Sequence, residues 1–268
     1  MRLKLLFLVL LCTQFATARQ IDTIPMVWTE NHSALLLPVS IAGHPSGYMQ
    51  FDLGAPNTLL YKKAMPGQGD TLRDFSFRVG KMLFSPGPVA IKAVDAGEKI
   101  MGTLGADFIA NRLVIFDYPH RQLLLADSLP EQFNIPLQPF YFPGRRVLLP
   151  VTLRGKQTIM YFDTGSSAFA LITDSTSWGQ LAVKDSTAFS YPVNSWGRTL
   201  TAHVIASADS MLLAGRNIPL GRVAYISGAS DAQVQQMRQM GIGGMIGNAL
   251  FLKSVLILDT KRQRFGVQ

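Results

Sequence analysis

Residues 50–58 read QFDLGAPNT and residues 161–169 read YFDTGSSAF. Each stretch sets an aspartate and a glycine at the end of an apolar, strand-like run, where an ionised group is costly to bury without partners. A single carboxylate on a turn is ordinarily a turn-former, accepting hydrogen bonds from nearby backbone N–H groups. Two copies in one chain raise a different expectation. Should the two turns face each other, their carboxylates would come within hydrogen-bond reach and could not both ionise easily. They would then share one proton, giving an acid and a base at one site.

The surrounding sequence is also doubled. Residues 35–55, LLLPVSIAGHPSGYMQFDLGA, align with 147–166, VLLPVTLRGKQTIMYFDTGS. Leu36-Leu37-Pro38 answers Leu148-Leu149-Pro150, Gly43 answers Gly155, and Phe51-Asp52 answers Phe162-Asp163. The prolines are 112 apart and the aspartates 111, a single-residue insertion or deletion between them. A second block, MGTLGADFIANRLVIFDYPHRQ (101–122), aligns with GGMIGNALFLKSVLILDTKRQ (243–263), with Gly102/Gly244, Gly105/Gly247 and Asp117/Asp259 all 142 apart. Two blocks in the same order, each with a constant offset, read as a tandem duplication. Each half is predicted to run as a strand hairpin, the aspartate turn, more strands, an apolar-Gly loop, a helical turn and a final strand pair. The proline-rich segment 130–146 joins them.

Composition agrees with an all-β chain. Of 268 residues, 48% are hydrophobic and 16% charged, enough for one large core or two modest ones. Short apolar runs such as LLLPVSI, RLVIFD, VLLPVTL and SVLILD lie between turn residues, and long helical periodicity is scarce.

The two motifs resemble those of the retropepsin-like and pepsin-like aspartic proteases. The residues that carry the likeness are Asp-Thr-Gly-Ser at 163–166, its variant Asp-Leu-Gly-Ala at 52–55, and the glycine loops Thr103-Leu104-Gly105 and Met245-Ile246-Gly247. The resemblance covers nearly the whole chain after residue 18. It implies two pseudo-symmetric β-barrel lobes, 19–138 and 139–268, with short helices and an active-site cleft between them. It further implies Asp52 and Asp163 as catalytic aspartates, with Gly54, Ala55, Thr164, Gly165 and Ser166 forming the active-site turns. The activity implied is peptide-bond hydrolysis by a water held on the aspartate pair, with a peptide or protein substrate, no cofactor and no metal. A non-catalytic peptide-binding module on the same fold and a structural β protein of a cell envelope are the competing readings.

The second half fits the pattern better. Residues 189–206, FSYPVNSWGRTLTAHVIA, alternate like a hairpin with its turn at Asn194-Ser195-Trp196-Gly197, where the family's substrate-covering flap would come. Ser195, Trp196 and Gly197 are therefore the flap candidates, Trp196 either covering substrate or packing on its own lobe. In the first half Leu53 replaces the expected threonine, removing a hydroxyl brace. Only 50 residues separate Asp52 from Gly102, against 81 from Asp163 to Gly244. The missing length falls in the flap region, where KKAMPGQGDTLRDF reads as too short and polar for a long hairpin.

Residues 1–18 read as a secretory signal peptide: Arg2 and Lys4, an apolar stretch at 5–12, and Ala16-Thr17-Ala18 as a small-x-small cleavage site. A secreted or periplasmic monomer is expected, with no membrane span after cleavage. The only cysteine, Cys12, lies in that leader, which excludes disulfides and cysteine nucleophiles from the mature chain. Losing Arg2 and Lys4 lowers the net charge from +8 to +6, and the positive charges are scattered rather than clustered, against nucleic-acid binding. His32, His44, His120 and His203 lack metal-ligand spacing. GIGGMIG at 241–247 lacks the third glycine of a phosphate-binding loop. SDAQVQQMRQMG (230–241) carries a capping box and a glycine stop, predicting a short helix.

Overall fold

The computed structural model describes residues 21–268 apart from 95, 96, 98, 196, 229–236 and 238. The predicted leader, Trp196 and most of the predicted helix at 230–241 lie outside the described residues. The first half forms β1 (Ile21–Pro25), β2 (Val27–Trp28), β3 (Leu35–Ser40), β4 (Gly47–Phe51), β5 (Leu59–Tyr61), β6 (Thr71–Val79), β7 (Met82–Lys92), β8 (Ile100–Leu104), β9 (Leu113–Asp117) and β10 (Gln122–Ala126). The second forms β11 (Gln138–Pro139), β12 (Val147–Leu153), β13 (Lys156–Phe162), β14 (Leu171–Ile172), α1 (Ser175–Leu181), β15 (Phe189–Ser195), β16 (Arg198–Leu213), β17 (Arg216–Ser227), β18 (Ile242–Ile246), β19 (Val255–Asp259) and β20 (Arg264–Val267).

The duplication reappears as topology. One seven-stranded sheet runs β2-β3-β4-β8-β5-β7-β6 and the other β12-β13-β18-β14-β17-β16-β15. Each curls until β3 meets β6 (Val39 with Val79), or β12 meets β16 (Leu153 with Met211), closing a six-stranded barrel. In each barrel the strand that ends at the aspartate lies parallel to the strand that ends at the glycine loop: β4 with β8, β13 with β18. The expected two-lobed all-β architecture is present.

The last strand pair of each half joins a shared third sheet, β1-β10-β9-β19-β20-β11, with β9 and β19 antiparallel across the pseudo-two-fold axis. This explains why RLVIFD and SVLILD show no alternation. Every residue of β9 and β19 is buried, because both faces of the sheet are covered. Val114, Phe116, Leu256 and Leu258 face the main core, while Leu113, Ile115, Val255 and Ile257 face a second cluster with Leu124 and Phe133. Burying an aliphatic or aromatic side chain stabilises by roughly 1.5–3 kcal/mol, so this platform fixes the two barrels relative to each other.

The halves differ where the sequence is shorter. β15 pairs with β16 as a hairpin whose turn lies between Ser195 and Arg198, and Gly197 N–H donates to Asn194 Oδ1 at 3.0 Å. β6 and β7 match β16 and β17 in the sheet order, but among the described residues of the first half no strand matches β15. The polar stretch at 62–75 is not all loop, since its last residues enter β6 and pair with β7. What it lacks is a flap-like hairpin.

Candidate active site

Both aspartates sit at the C-terminal ends of their strands, and the backbone explains why. Asp52 N–H donates to the Leu104 carbonyl at 3.0 Å, and Asp163 N–H to the Ile246 carbonyl at 2.9 Å. Each turn is also tied to its own glycine loop: Ala106 N–H donates to the Ala55 carbonyl and Ala249 N–H to the Ser167 carbonyl. The approach at that loop is close. A Cβ on Gly247 would stand 2.0 Å from the Ser166 carbonyl oxygen, which accounts for the second-block glycine.

The two turns face each other. Within each, the glycine N–H two residues on donates to the aspartate Oδ1, Gly54 to Asp52 and Gly165 to Asp163, both at 2.8 Å. Across the axis the same glycines leave room for the opposite carboxylate. A Cβ on Gly54 would lie 2.8–2.9 Å from the Asp163 carboxylate, and one on Gly165 only 2.5 Å from Asp52 Oδ1. The two carboxylates, each 8% exposed, thus share one small site. Burial first, then the Asp163 charge and a hydrogen bond with Asp163, hold the Asp52 carboxyl well above its usual range, while the Gly54 and Ala55 backbones pull it down.

The supports are unequal. Asp163 Oδ2 also accepts from the Ser166 hydroxyl at 3.0 Å, whereas Ala55, the matching residue beside Asp52, has no hydroxyl. Thr164 Oγ1 reaches across the axis, accepting from Leu53 N–H at 2.9 Å and donating to the Phe51 carbonyl at 2.7 Å. Leu53 returns nothing of the kind; it is fully buried in the main core. The expected loss of one brace is therefore present as a one-sided clasp.

Beneath the turns, the phenylalanine before each aspartate packs on the shared platform. The Phe51 ring stacks on Phe116 at 5.7 Å, and Phe162 meets Phe116 edge-on at 5.8 Å and Phe251 edge-on at 5.4 Å. One ring from β9 thus touches the base of both turns, a contact worth about 0.5–1.5 kcal/mol per aromatic pair beyond area. Asn248 is buried at the join: it accepts from the Tyr118 hydroxyl at 2.7 Å and donates to the Thr164 carbonyl and to Ser167 Oγ, each at 3.0 Å.

Sequence reasoning missed Phe116, Tyr118, Asn248 and also Tyr61, whose hydroxyl pairs with Thr103 Oγ1 at 2.8 Å on the Asp52 side. Burial, and more weakly the Asp52 charge, raise the Tyr61 phenol above its usual range. The only local signals were an asparagine directly after the second glycine loop and an aromatic just before each aspartate. The candidates Asp52, Gly54, Ala55, Asp163, Thr164, Gly165 and Ser166 are brought together. Ser195 and Gly197 lie at the hairpin turn, with Trp196 outside the described residues. Among the described residues no group of three or more His, Cys, Asp or Glu side chains is arranged to hold a metal ion. No helix among them is long and apolar enough to cross a membrane.

No family model matches the sequence, and no curated protein matches it in sequence. Solved structures do match, among them an aspartic proteinase from Irpex lacteus, with a TM-score of 0.58 and 10% identity over 92% of this chain and 97% of that one. At that identity the likeness is one of fold: the chain has the two-lobed β fold of that aspartic proteinase.

Proposed function

We propose that the protein is an exported aspartic endopeptidase in which Asp52 and Asp163 share one proton around a lytic water. The observation that carries this reading is the mutual packing of the two carboxylates against each other's glycine turn. The unequal supports favour a division of roles. Asp163, which accepts from both Gly165 N–H and the Ser166 hydroxyl, is the charged base. Asp52, buried and beside that charge, holds the proton.

In the reaction, Asp163 takes a proton from water as its oxygen attacks the peptide carbonyl carbon, and Asp52 gives its proton to the carbonyl oxygen. The C–N bond of the tetrahedral diol then breaks. The proton on Asp163 passes to the leaving nitrogen, and a diol hydroxyl returns one to Asp52. The β15–β16 hairpin serves as the flap, supplied by the second lobe because the described residues of the first include no matching hairpin. The charged start and small-x-small site in residues 1–18 support export.

A second reading, a peptide-binding module without catalysis, is favoured by one feature, the Leu53 replacement in the first turn. Asp52→Asn and Asp163→Asn separate the two. A protease loses peptide cleavage with either change and is blocked by a statine-type transition-state mimic. A wild-type chain that cleaves no peptide from a diverse library between pH 3 and 7 removes the enzymatic reading.

A further inference from the structure

We infer that Tyr161 is a positioning residue for the aspartate pair: its hydroxyl, bonded to the Leu53 carbonyl across the pseudo-two-fold axis, holds the first turn where Leu53 offers no hydroxyl of its own. The inference rests on the aspartate-pair reading above and adds a residue to it.

The bond is 2.9 Å long and joins residues 108 apart in sequence. With it, the first turn is bound from the second lobe at three successive peptide units. Phe51 C=O and Leu53 N–H go to Thr164, and Leu53 C=O goes to Tyr161. Both side-chain hydroxyls in these three bonds, Thr164 Oγ1 and the Tyr161 phenol, belong to one lobe, so the clasp is one-sided in the same sense throughout. The duplication offers a comparison. The residue at Tyr161's place in the first half is Gln50, so no phenol returns the contact.

Tyr161 precedes Asp163 by two, so its side chain leaves β13 on the opposite face from Phe162. Phe162 goes down to the aromatic core, and Tyr161 comes up beside the carboxylates. Burial, then the charges of Asp163 and Asp52, raise the phenol well above its usual range, with Arg146 opposing. The hydroxyl therefore keeps its proton and remains a donor throughout the acidic and neutral range. Leu53 adjoins Asp52, so freeing its carbonyl loosens the peptide unit that sets the Asp52 side chain and admits water to that carboxyl.

Tyr161→Phe removes the hydroxyl and keeps the ring. The expected result is a fall of about ten- to a hundredfold in kcat, the equivalent of one lost hydrogen bond, with KM changed less than about twofold. In parallel, the Asp52 carboxyl, followed by carbon NMR in protein labelled at aspartate, should titrate lower by about half a unit or more as its burial weakens. That titration needs no substrate. If the wild type cleaves nothing yet the Asp52 midpoint moves in the variant, the enzymatic reading fails and the positioning role stands. A variant that melts earlier but leaves the Asp52 titration in place overturns the positioning role. In the wild type, the Tyr161 hydroxyl proton should exchange slowly with solvent; fast exchange overturns the inference without recourse to any variant.

Discussion

Gly165 lies directly under the Asp52 carboxylate, so that a Cβ at Gly165 would stand 2.5 Å from Asp52 Oδ1 and 2.6 Å from its Cγ. The space beneath each carboxylate is thus the missing side chain of the opposite turn. Gly165→Ala must push the two turns apart. We expect loss of peptide cleavage, and a melting temperature lowered by a few degrees, the shift of about 1–3 kcal/mol of overpacking. Calorimetry with a peptide-hydrolysis assay on the same sample checks both.

Thr164→Val keeps the shape but removes a hydroxyl that serves two buried backbone groups. Leu53 N–H and Phe51 C=O would both lose their partner, at a cost of about 2–5 kcal/mol in unfolding free energy. Urea denaturation reads this directly. Thr164→Ser, which restores the hydroxyl, should recover most of it.

The Asp52 carboxyl titrates well above its usual range because of burial and Asp163. Its folded state therefore holds a proton more tightly than the unfolded chain does. The stability this lends is complete below the unfolded value, near 4, and is lost as pH rises through the folded value. Wild-type protein should accordingly lose stability on going from about pH 4 toward neutrality, and Asp52→Asn should flatten that slope. The proton on Asp52 is also the acid of the proposed reaction, so the alkaline limb of the pH–rate profile should lie well above pH 4. Thermal melts across pH and initial rates on one peptide test the pair of statements.

Asn248 links Tyr118, at the C-terminal end of β9, to the Thr164 and Ser167 groups behind the second turn. Asn248→Ala would leave several buried polar groups unpaired. A loss of about 2–4 kcal/mol is expected, with near-normal stability kept in Asn248→Asp only at pH low enough to protonate the new carboxyl. Denaturation at pH 4 and pH 7 separates the two variants.

Much of this was written in the chain itself. The duplicated Phe-Asp-x-Gly and the two glycine loops fixed the architecture, because a β lobe repeated in tandem can bring its turns together only about a pseudo-two-fold. The length deficit after Asp52 located the half without a flap-like hairpin. Alternation could not reveal the shared platform: β9 and β19 are covered on both faces and so carry no period-two signal. Nor could it reveal Tyr161, Tyr118 or Asn248, whose partners lie 108, 130 and 84 residues away.

What the sequence alone determined, then, is which residues form the turns and that there are two of them. Leu53 in place of threonine already marked the turns as unequal in the sequence; what the tertiary structure decided is which groups meet across the axis to make up the difference. Only the folded chain pairs Thr164 and Tyr161 with a turn that returns no hydroxyl, and sets Ser166 beside one carboxylate but not the other. Those contacts are long-range hydrogen bonds in a buried site, and their worth depends on geometry and exclusion of water rather than on local sequence.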